Sequence, residues 1–312
     1  MTLLYAHSRF LDHDTGAHPE SPERLQHIAA RLEGGGLAAR CARPEWAEAT
    51  AAQLLAVHDE QHIARIADLA RRRGGRLDPD TVVSGESFDV ARLAAGAACD
   101  AATRVVAGEA RTALALVRPP GHHALRRRAM GFCLFGNVAV AARWALEGCG
   151  LDRVLIVDWD VHHGNGTQDM FYDDPRVGFF SIHRWPFYPG TGAADETGAG
   201  AALGFTRNLP TPWGTPRREY LAAFADELTE FAAQVRPQLV LASAGFDAHA
   251  ADPVGSLGLE TEDFVALTEA TLAVARDHAG GRLVSVLEGG YNPPVLADCV
   301  AAHLEALLAA EA

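Results

Sequence analysis

Short, almost wholly apolar runs alternate along the chain with longer segments rich in alanine and leucine. The runs at 2–7 (TLLYAH), 113–120 (ALALVRPP), 153–160 (RVLIVDWD), 177–183 (VGFFSIH), 239–247 (LVLASAGFD) and 282–291 (RLVSVLEGGY) have the length of strands. They lack the apolar–polar alternation of a half-exposed strand, so they predict strands buried on both faces of a parallel sheet. Between them, helical periodicity predicts helices near 22–33, 60–73, 88–108, 137–147, 217–235, 261–278 and 294–310. Pro22, Pro216 and Pro293 stand near three of these starts, where proline is tolerated. Alternating strands and helices predict an α/β architecture: a single domain over 1–312 with a mainly parallel central sheet flanked by helices. The Gly/Pro-rich stretch 186–216 is the longest irregular region by this reading and is expected to be an active-site loop.

In such sheets ligands bind at the carboxyl ends of the strands. The unusual polar residues gather there: His122 and His123, the run from Asp158 to His163, His183, Asp247, and the turn from Glu288 to Tyr291. In RVLIVDWDVHHGNG, Asp158 and Asp160 are two apart and are expected to share a strand face. Two carboxylates ending a buried strand need a cation or hydrogen-bond donors to compensate them. Asp160 and His162 offer an oxygen and a nitrogen ligand, and Asp247 closes the next long apolar strand. Three protein ligands leave an open position, as in a catalytic zinc site, although the same donors also suit Fe²⁺ or Co²⁺. Helix capping or a loop salt bridge would account for Asp247 alone. It would not account for consecutive histidines beside paired aspartates.

His122 and His123 follow Pro119 and Pro120 in a stiff loop, and a histidine can pass a proton from water to a leaving amine. Asp158 or Asn165 could orient one of the rings. The glycine pair before Tyr291 allows a tight turn presenting a phenol to a developing oxyanion, though tyrosines also follow glycine pairs in ordinary turns.

Composition adds boundaries. A formal charge of −13 argues against nucleic acid and favours cationic partners, or serves solubility alone. The five cysteines form no CxxC pair, so a cysteine zinc site is not expected. No apolar stretch has the length of a bilayer span or of a signal-peptide core, so the expectation is a cytoplasmic protein without a membrane partner. The chain contains no lysine, which codon bias in a GC-rich genome accounts for, as it does for the many alanines; a corollary is that its own side chains offer no lysine to acetylate.

Taken in order, HPESPERL (18–25), RPPGHHA, MGFC, DWDVHHGNGTQ, FFSIHR, YPGTG, AGFDAHAADP and EGGY resemble the class II histone deacetylase family over almost the whole chain. That family belongs to the histone deacetylase and acetylpolyamine amidohydrolase superfamily, with the arginase–deacetylase fold. The resemblance implies zinc-dependent removal of acetyl groups from N-acetyl-lysine or related N-acetyl amines by metal-activated water. It makes Asp160, His162 and Asp247 the zinc ligands, one Zn²⁺ per chain. His122 and His123 become the tandem catalytic histidines, the second acting as base and acid, and Tyr291 the carbonyl-polarising tyrosine. Asn165 stands where class I enzymes carry an aspartate, which is the class II pattern. Phe132 and Tyr188 match the walls of an acyl-lysine tunnel, with Tyr188 in place of the usual phenylalanine. Gly131 matches the carbonyl that accepts the substrate amide N–H, and Asp80 the aspartate that anchors the substrate backbone. Arg24 matches an arginine beneath the site near the proposed acetate exit. Asp158, Asp160, His162, Ser181 and Ile182 match a structural K⁺ site. Acetylpolyamine-selective relatives can carry a glutamate where this chain has Val254, so acetyl-lysine peptides are the expected partners and acetylated polyamines the alternative. A non-catalytic acyl-lysine binding module is a third reading, which the retained Tyr291 and both histidines disfavour. Oligomeric state is not legible.

Overall fold

The structure, a computed structural model, describes residues 1–311. Seven parallel strands form the central sheet: β1 (Leu3–Tyr5), β4 (Thr112–Ala115), β5 (Val154–Asp158), β6 (Val177–Arg184), β7 (Thr206–Thr211), β8 (Leu239–Ala244) and β9 (Leu283–Leu287). Their spatial order is β1-β4-β9-β8-β5-β6-β7. Every residue of β4, β5, β8 and β9 is buried, which is why these strands read as continuous apolar runs.

Helices cover both faces. One row packs α1 (Glu23–Gly34), α9 (Pro293–Ala309), α8 (Thr261–Ala279) and α7 (Arg217–Val235) side by side; another packs α4 (Ser87–Val106) on α5 (Asn137–Glu147). Both rows touch β4 and β8, so they lie on opposite faces of the sheet. Proline stands immediately before or at the first residue of α1, α7 and α9. None of the helices among the described residues is long and apolar enough to cross a membrane.

Two expectations need correction. The stretch 186–216 is not wholly irregular, because it contains the edge strand β7. That strand hides its polar side chains, Thr206, Asn208 and Thr211, and leaves Arg207, Leu209 and Pro210 half-buried, which inverts the usual signal. Its proline is tolerated because the strand lies at an edge. The other correction concerns Asp160, which lies beyond β5 rather than on it. The polar segment 74–84 also forms an antiparallel hairpin, β2 (Gly74–Asp78) and β3 (Thr81–Ser84), with Asp80 in its turn. The short helices α2 (Ala51–Leu55) and α6 (Asn165–Phe171) and the helix α3 (Glu60–Arg71) complete the chain.

Candidate active site

Four adjacent strands, β4, β9, β8 and β5, end at one rim of the sheet, and the loops that follow them carry the site. After β5 the chain turns back on itself, with the Asp160 amide donating to Asp158 Oδ1 (3.1 Å) and the His162 amide to Asp160 Oδ1 (2.9 Å). After β8, Asp247 Oδ1 accepts from the Val161 amide (2.9 Å), which docks the two loops together. His162 Nδ1 then lies 3.0 Å from Asp160 Oδ1 and 3.1 Å from Asp247 Oδ2. Ligand atoms of Asp160, His162 and Asp247 all fall within 4.8 Å of one another, and all three residues are buried.

The cluster calls for positive charge. Asp247 Oδ2 is buried with no hydrogen-bond partner. Burial, the nearby Asp160 carboxylate and, more weakly, Asp252 outweigh His162 and push Asp247 up to about 7. Burial opposes protonation of His162, but Asp160 and Asp247 outweigh it and pull the imidazole up to about 9. An orphaned buried carboxylate oxygen beside a second carboxylate and an imidazole is a donor set that fits a divalent cation. Gly289, after β9, is shaped to the same cluster: a Cβ there would stand 2.2 Å from Asp247 Oδ2 and 2.5 Å from Asp160 Oδ2.

The tandem histidines come from the loop after β4, with ring centroids 4.0 Å apart and the rings tilted at 40° to each other. His122 Nδ1 lies 3.0 Å from Asp158 Oδ2. Burial disfavours charge on His122, yet Asp160 and Asp158 prevail and hold it up to about 10. His123 behaves oppositely, pushed well below its usual range by burial and by neighbouring His122 and His162. Its Nδ1 lies 2.7 Å from Asn165 Oδ1, which accepts the ring N–H and leaves Nε2 as the free base. Of the two orienting candidates in the sequence, Asp158 therefore holds the first ring and Asn165 the second.

Tyr291 follows β9, with its ring edge-on to Phe132 at 5.6 Å and the Arg24 guanidinium 5.1 Å from its centroid. Burial and the nearby Asp247 charge raise its pKa well above 10, so the phenol keeps its proton. Arg24, fully buried, donates from Nε to Gly290 O (2.6 Å) and from Nη2 to Glu288 O. Gly131 has φ of 55°, and a Cβ there would stand 2.3 Å from the His123 ring. Phe132 shares the left-handed conformation at φ of 69°, held by a bond from its amide to Thr81 Oγ1 (3.2 Å) and by the His18 ring at 4.5 Å. The Cys133 thiol donates to Gly131 O at 3.2 Å, using one of that carbonyl's two lone pairs.

Tyr188 presents its edge to His123 at 5.2 Å and remains 38% exposed. Asp80 sits in its hairpin turn, with Oδ1 accepting from Thr81 Oγ1 (3.1 Å) and its pKa raised by partial burial and Asp78. Ser181 lies opposite Asp158 in the β5–β6 register, and Ile182 follows it. Val254 is half-buried in the loop after β8.

Two participants have no role assigned by the sequence. Phe187, next to Tyr188, stacks on the His162 ring at 5.2 Å and 17°. Glu288, fully buried, accepts the Gly121 and His122 amides (2.7 and 3.2 Å) and the Ser243 hydroxyl (3.1 Å), fixing the histidine loop to β9. The sequence signals are the place of Phe187 beside an expected wall residue and that of Glu288 at the head of the polar turn closing the last apolar run.

Residues 18–307 match the family described as the histone deacetylase domain. The chain belongs to the histone deacetylase family. It is 39% identical to a probable deacetylase of Archaeoglobus fulgidus, over 94% of this chain and 82% of that protein. A histone deacetylase-like amidohydrolase of Pseudomonas aeruginosa is 40% identical, over 93% of this chain and 77% of that protein. The human polyamine deacetylase HDAC10 is 41% identical over 96% of this chain, which spans 46% of that longer protein. The crystal structure of the HDA15 HD domain superposes with a TM-score of 0.92 at 38% identity, covering 98% of this chain and 91% of that one.

Proposed function

We propose that this chain is a zinc-dependent amidohydrolase that removes acetyl groups from N-acetyl-lysine or related N-acetyl amines. The observation that carries the reading is the meeting of Asp160, His162 and Asp247 with an uncharged His123 at one rim of the sheet. Asp160, His162 and Asp247 would hold the zinc, which supplies Lewis acidity and lowers the pKa of water. Fe²⁺ or Co²⁺ would suit the same donors.

The protein's own residues then divide the work. His123 Nε2 takes a proton from the attacking water while Asn165 fixes the tautomer through Nδ1. The same nitrogen returns the proton to the amine as the C–N bond breaks. Burial, reinforced by repulsion from a charged His122 held by Asp158, keeps His123 neutral. Tyr291 donates its O–H to the oxygen on which negative charge grows. Phe132 and Tyr188 flank the acyl chain, Gly131 O takes the substrate amide N–H and Asp80 its backbone. Arg24 stands by the acetate exit, and Asp158, Asp160, His162, Ser181 and Ile182 form a structural K⁺ site.

A second reading keeps the chemistry and changes the substrate to acetylated polyamines, supported by the similarity to the polyamine deacetylase HDAC10. Val254 offers no carboxylate at the mouth to read a distal ammonium, which favours acetyl-lysine. A turnover screen of acetyl-lysine peptides against acetylated polyamines separates the two. Higher kcat/KM on the peptides is expected, and preference for the polyamines would overturn the substrate assignment.

A further inference from the structure

The turn carrying Tyr291 is tied down through its backbone at several points. The Gly289 amide donates to Asp160 Oδ2 (2.8 Å), and Gly289 O accepts from the Phe246 amide (3.0 Å). From below, Arg24 holds Glu288 O and Gly290 O. These ties come from the metal cluster, its neighbouring loop and the floor of the site. One tie comes instead from farther along the loop after β8, the stretch with Val254, which the proposed function places at the mouth of the site. The Tyr291 amide donates to Asp252 Oδ2 at 2.6 Å.

Asp252 lies in the loop after β8, two residues before Val254. Its other oxygen, Oδ1, accepts the Val254 and Gly255 amides, each at 2.9 Å. One carboxylate, only 8% exposed, therefore clasps the mouth loop with one oxygen and the backbone of Tyr291 with the other. The neighbours reinforce this link: Asn292 Nδ2 donates to Ala251 O (2.9 Å), and Arg184 Nη1 donates to Gly255 O (3.1 Å) while its guanidinium covers the Phe187 ring at 4.1 Å. Ser256, the next residue, adopts a φ of 66°, a left-handed conformation uncommon for a non-glycine residue.

A carboxylate is the residue type this geometry demands. It presents acceptors on both oxygens, and charge-assisted bonds to N–H groups are short and strong. An asparagine has the same shape but only one acceptor oxygen. Whichever way its amide turns, an NH₂ group faces an N–H, so either the mouth loop or the tyrosine is released.

We infer that Asp252 is a positioning residue for the deacetylation reaction, fixing the Tyr291 phenol relative to the mouth loop that carries Val254. The inference rests on the proposed role of Tyr291 as oxyanion donor. Asp252 touches neither substrate nor metal in this role; it acts through the backbone of Tyr291.

The test is a double-mutant cycle of Asp252→Asn and Tyr291→Phe, with kcat, KM and melting temperature measured on each purified metal-loaded protein. Asp252→Asn is expected to lower kcat by about 10-fold or more with a smaller change in KM, because displacing a catalytic group is costly. In the Tyr291→Phe background, where there is no phenol to position, the same substitution should leave kcat nearly unchanged. Equal losses in both backgrounds, or no loss in the wild-type background, would overturn the positioning role. An unchanged kcat in Tyr291→Phe alone would overturn the role of Tyr291 itself, and the inference with it. Should Asp252→Asn not fold, Asn292→Ala removes the adjacent brace to Ala251 and takes its place in the cycle. It is expected to cost a few-fold in kcat with Tyr291 present and nothing without it; the same cost in both backgrounds would count against the inference.

Discussion

Tyr291 keeps its proton because burial and the nearby Asp247 charge raise its pKa, and a phenol that keeps its proton has one to donate. Its contribution should grow as negative charge develops on the acetyl oxygen, and so be larger in the transition state than in the ground state. Tyr291→Phe should therefore lower kcat on an acetyl-lysine peptide by roughly 10²–10³, the usual cost of one oxyanion donor. Its KM should move much less, since Phe132, Tyr188 and the metal ligands are untouched. A purely structural tyrosine would behave differently, lowering the melting temperature while leaving the rate of the folded protein intact. Measuring both on one preparation decides between them. His123 shows the same logic in reverse, since its environment keeps it uncharged and so available as a base.

At the scale of elements, the loop before α1 is clamped to the end of β4 by a buried ion network. Arg118 engages both oxygens of Glu20, and Arg24 Nη1 approaches the same carboxylate at 3.2 Å. Arg118 also donates to Phe10 O and His13 O (2.9 and 3.0 Å). All three charged side chains are fully buried. Removing one member leaves the others unpaired, so Glu20→Ala should destabilise the fold by about 3–5 kcal/mol in chemical denaturation. A loss below 1 kcal/mol would mean that water reaches the arginines. The network also shows what a sequence displays and what it withholds. The central strands were legible because β4, β5, β8 and β9 are buried on both faces and need no polar residues. β7 was not, because its buried face is Thr206, Asn208 and Thr211. The β2–β3 hairpin is polar and short, and α6 is a seven-residue helix whose first residue, Asn165, already serves His123. The metal ligands and histidines stood out as rare residue types at apolar strand ends. The roles of Glu288 and Asp252 did not show, because each depends on a backbone amide distant in sequence, which no local pattern encodes.

Across the whole molecule, the buried histidines are predominantly neutral. Burial lowers the pKa of His58, His183 and His303 to about 3 in each case. In the unfolded chain each would titrate near the ordinary value of about 6.5. Below that pH the unfolded state binds protons that the folded state refuses, so the contribution of these three histidines to stability is complete above about 6.5 and falls as pH drops toward 3. Glu20 adds to the loss at the acid end: burial opposes its charge, but Arg118 overrides this and holds it down to about 2. Its stabilisation is present above its unfolded pKa and disappears as pH falls toward 2. Melting temperature should therefore decline steadily from pH 6.5 to pH 4, and a flat profile over that range would contradict the buried neutral state. The central claim, that Asp160, His162 and Asp247 hold a divalent ion on which amide hydrolysis depends, is tested most directly by removing and restoring that ion. The protein is stripped with a chelator, its metal content measured, and Zn²⁺ titrated back while acetate release and melting temperature are followed together. The account predicts negligible turnover in the stripped protein, recovery of rate that saturates near one equivalent per chain, and a parallel rise in melting temperature, since a ligand bound only by the native state stabilises it. Full turnover by protein shown to be free of metal would contradict it.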